Sequence, residues 1–116
     1  MRFLVFAHGH IIEGSCGPEY DRPPVKKVKI RIGSSFEQFV NVICRAARID
    51  LNVNQVKIVY RHPVYMAHGV SFHLVKIVDK EDLEGLLAMA HHLGCERIQC
   101  LYVTDCREQV KGTTII

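Results

Sequence analysis

The chain has 116 residues, of which 48% are hydrophobic and 23% are charged. That length is usual for one domain, and the apolar content is sufficient for a single hydrophobic core. The formal net charge of +3 is a mild basic bias, well short of the strongly basic balance of a dedicated nucleic-acid binder. The apolar runs are far shorter than the roughly 18 to 20 residues of a membrane span, so no transmembrane helix is expected.

The cysteines and the N-terminal segment indicate the cellular compartment. Five cysteines are an odd number with no framework spacing, a usage typical of reduced thiols. The segment MRFLVFAHGH has a short apolar run but no small-residue cleavage site, so it does not resemble a secretory signal. We therefore expect an intracellular protein, nuclear or cytoplasmic, without disulfides.

Two segments near the N-terminus predict a pair of antiparallel strands. Residues 2–8 form a short apolar stretch, and residues 25–32, VKKVKIRI, alternate between two kinds of side chain. The connecting residues 9–24 are rich in glycine and proline and predict a long loop. The alternation places Val28, Ile30 and Ile32 on a buried face, and Lys27, Lys29 and Arg31 on a basic outer face.

Residues 33–50, GSSFEQFVNVICRAARID, carry the clearest helical pattern. Ser34 and Glu37 have the spacing of a capping box, which predicts the start of the helix. Apolar residues recur at the spacing of one helical face and should dominate the core. They are Phe36, Phe39, Val40, Ile43 and Ala47.

Residues 55–61, QVKIVYR, and residues 69–77, GVSFHLVKI, predict a second hairpin. The first of these strands is expected to end at the break formed by His62 and Pro63. In the second, Val70, Phe72 and Leu74 share one side.

Asp79 is a candidate cap for a second helix, KEDLEGLLAMAHHL, which Gly94 would end. The segment RIQCLYV, residues 97–103, predicts a last strand. The buried stripe of the helix is expected to consist of Leu83, Leu86, Leu87 and Ala90.

The predicted order of elements is ββαββαβ. This order favours a two-layer α+β domain, in which a mixed sheet of about five strands has both helices on one face and leaves the other face open to water. The ubiquitin-like β-grasp has this arrangement. We assign residues 1–104 to the domain and residues 105–116 to a C-terminal tail.

The segments KIVYRHP, VKIVDKEDLEGLLAMAHHL and IQCLYV together resemble the N-terminal domain of plant Mutator-like (MuDR family) transposases. That domain is similar in turn to the Phox/Bem-type ubiquitin-like interaction domain. The AHGH segment and Tyr20 also fit the family, whereas YDRPP stands where its members usually have a Tyr-x-Gly-Gly turn. The resemblance implies a non-catalytic protein-interaction module, either stand-alone or excised from a larger transposase.

Two charged clusters are candidate partner-binding sites. The basic one comprises Lys27, Lys29 and Arg31, extended by Arg2 on the neighbouring strand, and it suits an acidic protein surface. An ordinary solvated strand face that discourages aggregation is the alternative interpretation. Nucleic acid is the less favoured partner because no aromatic residues interleave with these lysines.

The acidic cluster lies at the start of the second helix and comprises Asp79, Glu81 and Asp82. The resemblance implies that such carboxylates accept ion pairs from the basic strand of a partner. The alternative is helix capping with favourable charge at the helix N-terminus. The preceding hairpin turn, HPVYMAHG, lacks a carboxylate, so we expect a monomer or a small closed homo-oligomer rather than long polymers. The short apolar runs predict no membrane partner.

The alternative function is that of a small domesticated plant protein that binds or converts a small molecule through histidine-rich loops. Histidine is a suitable acid or base near neutral pH, but the sequence contains no nucleophile elbow, phosphate loop or paired-carboxylate motif. The candidate catalytic residues of this hypothesis are His8, His62, His68, His73 and Tyr20.

The segment HHLGC is a candidate metal site, because His91, His92 and Cys95 are close in sequence, with Cys100 and Cys106 further on. Structural zinc requires four converging ligands, usually in tight pairs, and the spacing here does not provide them. We therefore predict neither a metal nor a cofactor.

Overall fold

The computed structural model describes residues 1–50, 56–92 and 99–105. Five strands form the main sheet in the order β4-β1-β7-β5-β6, and β2 pairs with β3 in a separate hairpin. The prediction of an α+β domain with a five-stranded mixed sheet and two helices is confirmed. The elements are β1 (Arg2–Ala7), β2 (Ile11–Gly14), β3 (Gly17–Tyr20), β4 (Lys26–Lys29), α1 (Phe36–Ala47), β5 (Val56–Met66), β6 (Gly69–Lys76), α2 (Lys80–His92) and β7 (Gln99–Asp105).

The main sheet is mixed because its central pair, β1 and β7, is parallel. The other three pairs, β1 with β4, β5 with β6, and β5 with β7, are antiparallel. Both predicted antiparallel pairs, the N-terminal one and the second hairpin, are therefore confirmed. Strands β4 and β6 are the two edges of the sheet.

Both helices cover the same face of the main sheet. Alternate residues of β1, namely Phe3, Val5 and Ala7, belong to the same buried cluster as Phe39 of α1 and Leu83 of α2. Because side chains alternate between the faces of a strand, the cluster places both helices on one side. All four members of the predicted α2 stripe are buried: Leu83, Leu86, Leu87 and Ala90.

The capping box of α1 lies one residue later than the sequence predicts. Ser35 Oγ accepts a hydrogen bond from the Gln38 amide at 3.1 Å, and Gln38 Oε1 accepts one from the Ser35 amide at 3.1 Å. The predicted box of Ser34 and Glu37 is wrong because the Ser34 hydroxyl instead donates to the Arg31 carbonyl at 2.7 Å. This bond closes a turn before the helix and moves the cap to the next residue.

The same turn shortens β4 relative to the prediction. Val28 and Ile30 are buried as expected, but Ile32 is 63% exposed. The predicted burial of Ile32 is wrong because the chain leaves the sheet at this point. Gly33, with φ at 90°, adopts a backbone conformation that favours glycine and redirects the chain toward α1.

Strand β5 continues through His62 and Pro63 to Met66, so the predicted break at this dipeptide is wrong. Beyond Tyr60, β5 pairs with β6 alone. Pro63 lies opposite Phe72, and the Phe72 amide donates away from β5, to Cys16 of the β2–β3 hairpin. Pro63 and Phe72 therefore form a non-hydrogen-bonded pair of the antiparallel ladder. The missing N–H of Pro63 thus removes no hydrogen bond between β5 and β6.

The second face of the sheet, opposite the helices, carries an aromatic cluster. The Tyr20 ring of β3 lies 5.6 Å from Phe6 of β1 and 5.1 Å from Tyr102 of β7, measured between ring centroids. Phe6 and Tyr102 meet edge to face at 5.3 Å. Tyr102 is only 3% exposed, so the predicted fully open face is wrong.

The β2–β3 hairpin covers this face because it reaches from the aromatic cluster to the edge strand β6. Arg61 Nε of β5 donates to the Pro18 carbonyl at 2.7 Å, and the Phe72 amide of β6 donates to the Cys16 carbonyl at 2.9 Å. The segment predicted as a long loop therefore contains a hairpin that crosses the sheet.

Some predictions fall outside the described residues. These are residue 55 of the strand predicted over 55–61, residue 93 of the second helix and the stop at Gly94, residues 97–98 of the last strand, Cys95, Cys106 and residues 106–116 of the tail. Within the described ranges, no helix is long and apolar enough to cross a bilayer.

Candidate functional site: a basic strip at the sheet edge

Four exposed cations form a basic strip on the edge strand β4 and its neighbour. Arg2 of β1 lies directly opposite Lys29 of β4, and Leu4 lies opposite Lys27. Residues directly opposite each other in an antiparallel pair share a face, so Arg2, Lys27 and Lys29 project from the second face. Arg31 follows two residues after Lys29 and is also exposed. The structure thus brings together the four basic residues singled out in the sequence.

The charges of the basic strip have no ionic partner in the described part of the chain. The ion pairs found there join His10 to Asp21 at 3.3 Å and Lys80 to Glu84 at 3.9 Å. Like charges at neighbouring positions of a strand pair repel each other. The basic strip is therefore a surface of positive potential whose repulsion an anionic partner would relieve.

Two of the three carboxylates in the acidic cluster accept backbone hydrogen bonds at the start of α2. Asp79 Oδ1 accepts a hydrogen bond from the Asp82 amide at 2.9 Å, and Asp82 Oδ2 accepts one from the Val78 amide at 3.0 Å. The predicted cap at Asp79 is confirmed. Glu81 is exposed in the first turn. These residues follow β6, so they begin beside the edge of the sheet opposite the basic strip.

Three of the five candidate catalytic residues have side chains engaged with different parts of the fold or exposed to solvent. His8, which adopts a φ of 64°, places Nε2 at 2.6 Å from the Ala47 carbonyl oxygen, at the end of α1. His68 is exposed in the β5–β6 turn. The Tyr20 hydroxyl accepts a hydrogen bond from the Gly9 amide at 2.7 Å, while its ring belongs to the aromatic cluster.

The remaining two candidates, His62 and His73, are directly opposite each other in the β5–β6 pair. The His62 ring lies 5.8 Å from the Tyr60 ring, and His62 Nδ1 is buried without a hydrogen-bond partner. The Tyr60 hydroxyl donates to Gln99 Oε1 at 2.8 Å. His73 is exposed, so this pair lies at the margin of the core.

Four clefts on the described surface, with volumes of about 290, 320, 330 and 580 Å³, do not contain the candidate catalytic residues. None of their walls contains His8, His62 or His73, nor His68 or Tyr20. Among the described residues, no group of three or more metal-ligating side chains converges.

Sequence patterns did not single out Arg61 and Tyr102, which contact Pro18 and Tyr20 of the hairpin on the second face. Burial raises the pKa of Tyr102 to about 12, an effect that the nearby Arg61 guanidinium opposes. Burial also raises the pKa of the Cys100 thiol, and Arg61 again opposes the shift. The sequence does contain a signal for the hairpin itself, because Gly14 and Gly17 flank the two residues of its turn.

Gly17 is required at the point where the hairpin meets β6. Its φ is 119°, a conformation that favours glycine. A Cβ at this position would approach the Phe72 carbonyl oxygen to 2.5 Å. Only a residue without a side chain allows the hairpin tip to lie this close to the edge strand.

Comparisons of the chain with family models, with curated proteins and with solved structures give no match. The resemblance to the MuDR family transposase domain therefore rests on the segments KIVYRHP, VKIVDKEDLEGLLAMAHHL and IQCLYV alone, and it remains a hypothesis.

Proposed function

We propose that this protein is a non-catalytic protein-interaction module that binds an acidic protein surface through the basic strip. One observation carries the proposal. Four exposed cations, Arg2, Lys27, Lys29 and Arg31, lie together at one sheet edge, and none has an ionic partner among the described residues. A partner with carboxylates at matching positions would gain attraction and specificity from this charge pattern.

The architecture supports a β-grasp of ubiquitin-like type as the scaffold. A parallel central pair, β1 and β7, is flanked by antiparallel strands on both sides, and both helices pack on one face. The β2–β3 hairpin would then be an insertion between the first two strands of the grasp. A relationship to the MuDR family N-terminal domain, and through it to Phox/Bem-type domains, is part of the same proposal.

The second face favours a protein partner over nucleic acid. Single-stranded nucleic acid is bound by aromatic rings that stack on successive bases. Here Phe6, Tyr20 and Tyr102 pack against one another, and Tyr102 is buried. The rings are therefore engaged within the fold, and the basic strip carries charge without a stacking platform.

The occupied carboxylates favour a foreign partner over another copy of the chain. Asp79 and Asp82 accept backbone hydrogen bonds at the start of α2, and residues 63–68 of the preceding hairpin contain no carboxylate. A head-to-tail assembly would need a complete acidic face to meet the basic strip of the next subunit.

Selection from a displayed peptide library tests the proposal. The double variant Lys27→Glu, Lys29→Glu is compared with a matched control, Lys76→Glu, Lys80→Glu, whose residues are also exposed. Each pair of changes lowers the formal net charge by four, from +3 to −1. We expect the wild type and the control to enrich the same acidic peptides and the Lys27 and Lys29 variant to lose them. Identical selections by all three proteins would refute a binding role for the basic strip.

A further inference from the structure

The edge of β4 offers backbone hydrogen-bonding groups as well as charge. The Ile30 amide donates to the Met1 carbonyl at 2.8 Å, and the Met1 amino group donates to the Ile30 carbonyl at 3.1 Å. In an antiparallel ladder, bonded positions alternate, so Val28 also faces β1. The N–H and C=O groups of Lys27 and Lys29 consequently point outward, where no described strand lies.

A cleft lies beside this edge on the helix side of β4. Its volume is about 320 Å³, and it opens between β4 and α1. Side chains on alternate residues of an added strand would project toward it, because Val28 and Ile30 face the helices. The walls are formed by Lys29, Ile30, Arg31, Ser34, Gln38, Phe39 and Val42.

We propose that the partner segment is an extended acidic peptide that adds to β4 as a sixth, antiparallel strand. Its carboxylates, at every second residue, pair with Lys27 and Lys29 on the second face, and an apolar side chain between them lies on the helix face beside the cleft. This inference rests on the proposed function and specifies its partner. Main-chain bonds provide affinity in such strand addition, and alternate side chains provide specificity.

The two sheet edges differ in a way that selects β4. At β6, the outward Phe72 amide already donates to the Cys16 carbonyl at 2.9 Å, so the tip of the hairpin occupies part of that edge. A second copy of the chain is a poor occupant for β4, because antiparallel pairing of two β4 strands would place Lys27 and Lys29 near their own copies, and like charges directly opposite are destabilising. An acidic strand has the complementary charge.

A short capped peptide in which glutamate and valine alternate is the probe, and fluorescence anisotropy measures its binding to the full chain. In antiparallel addition, the glutamate amides donate to β4 and the valine amides point away. Methylating the glutamate nitrogens should weaken binding by at least about tenfold, since several interstrand hydrogen bonds are lost. Methylating the valine nitrogens is the matched control and should leave affinity within about twofold.

Amide hydrogen exchange gives a second, independent measurement. On binding, the Lys27 and Lys29 amides should become protected, while Val28, which already faces β1, should change little. An isomeric peptide with all its glutamates before its valines should bind more weakly, because its charges no longer alternate.

The outcomes separate the two proposals. If all acidic peptides bind equally, methylated or not, and still require Lys27 and Lys29, strand addition is wrong while the acidic-partner function stands. If none binds and the library selection also shows no effect of charge reversal, the proposed function itself fails. Dimers that form through β4 in sedimentation experiments, and that exclude the peptide, would likewise overturn strand addition.

Discussion

The guanidinium carbon of Arg61 lies 3.5 Å from the centroid of the Phe72 ring, while Arg61 Nε donates to the Pro18 carbonyl at 2.7 Å. One side chain of β5 therefore binds both the edge strand β6 and the β2–β3 hairpin. The planar guanidinium combines stacking with directed hydrogen bonding, which a lysine ammonium cannot reproduce. Arg61 thus contacts the hairpin and the edge strand together, beside the Phe72–Cys16 hydrogen bond and the ring contacts of Tyr20.

We expect Arg61→Ala to lower the free energy of unfolding by about 2 to 3 kcal/mol, because a charge-assisted hydrogen bond and a cation–π contact are lost together. Arg61→Lys should recover only part of this loss. Urea denaturation measures both effects. Arg45→Ala, at an exposed position of α1, is the control and should change stability by less than about 0.5 kcal/mol. Equal effects of Arg61→Ala and Arg45→Ala would show that the hairpin is fastened by other contacts.

The core assignment of α1 predicts a large effect at Phe39, which is fully buried. Phe39→Ala should destabilise the fold by about 3 to 5 kcal/mol, because it leaves a cavity in a small core. Phe36, only partly buried at the start of the same helix, should cost distinctly less when replaced by alanine. Thermal unfolding of the two variants tests this order, and a reversed order would contradict the packing.

The revised capping box is tested by two adjacent serines. Ser35→Ala should cost about 1 kcal/mol, a typical value for loss of an N-cap hydrogen bond. Ser34→Ala should cost less, because its hydroxyl only donates to an exposed turn carbonyl. Denaturant titration of the two variants compares them directly. If Ser34→Ala proved the more damaging, the cap would lie where the sequence pattern first predicted it.

Burial raises the pKa values of Tyr60 and Tyr102 to about 12 in the folded protein. The unfolded chain releases these protons near pH 10, so it binds fewer protons than the folded chain between about pH 10 and 12. By linkage, the stability present below pH 10 is lost as pH rises through this window. We therefore measure the free energy of unfolding at intervals between about pH 10 and 12. It should fall less steeply with pH for the Tyr60→Phe, Tyr102→Phe variant than for the wild type. Parallel slopes would contradict the effect of burial.

The occupied carboxylates of α2 predict little self-association. Light scattering at low ionic strength should show a monomer or a small closed oligomer, since exposed charge pairs are strongest there and weaken by about 0.15 M salt. Large assemblies that dissolve on adding salt, and that disappear in the Lys27→Glu, Lys29→Glu variant, would show that Asp79, Glu81 and Asp82 suffice as an acidic face.

Periodicity predicted the elements whose signals are local. The α2 stripe containing Leu83 and the helical face containing Phe39 follow from spacing alone. The stripe is buried, whereas the α1 face is buried except for Phe36 and Val40, which are partly buried. The basic strip likewise follows from the alternation of basic and apolar residues over 27–32. Its extension by Arg2 needed only the antiparallel pairing of two neighbouring strands.

The errors concern features that depend on distant contacts. Pro63 fits within β5 because the outward bond of Phe72 goes to Cys16, which no local pattern reveals. The hairpin crosses the sheet through contacts of Tyr20 with Tyr102 and of Pro18 with Arg61, residues far apart in sequence. Competing hydrogen bonds of two neighbouring serines decided the start of α1, a choice that composition does not resolve.

The affinity of one library-selected acidic peptide for three proteins tests the central claim most directly. The proteins are the wild type, the Lys27→Glu, Lys29→Glu variant and the Lys76→Glu, Lys80→Glu control, measured by titration calorimetry at about 0.15 M salt. We expect only the Lys27→Glu, Lys29→Glu variant to lose affinity, by at least about tenfold, because the attraction of the two lysines for the acidic peptide becomes repulsion. Equal losses in both variants would show that net charge alone governs binding, and would contradict a site at the sheet edge.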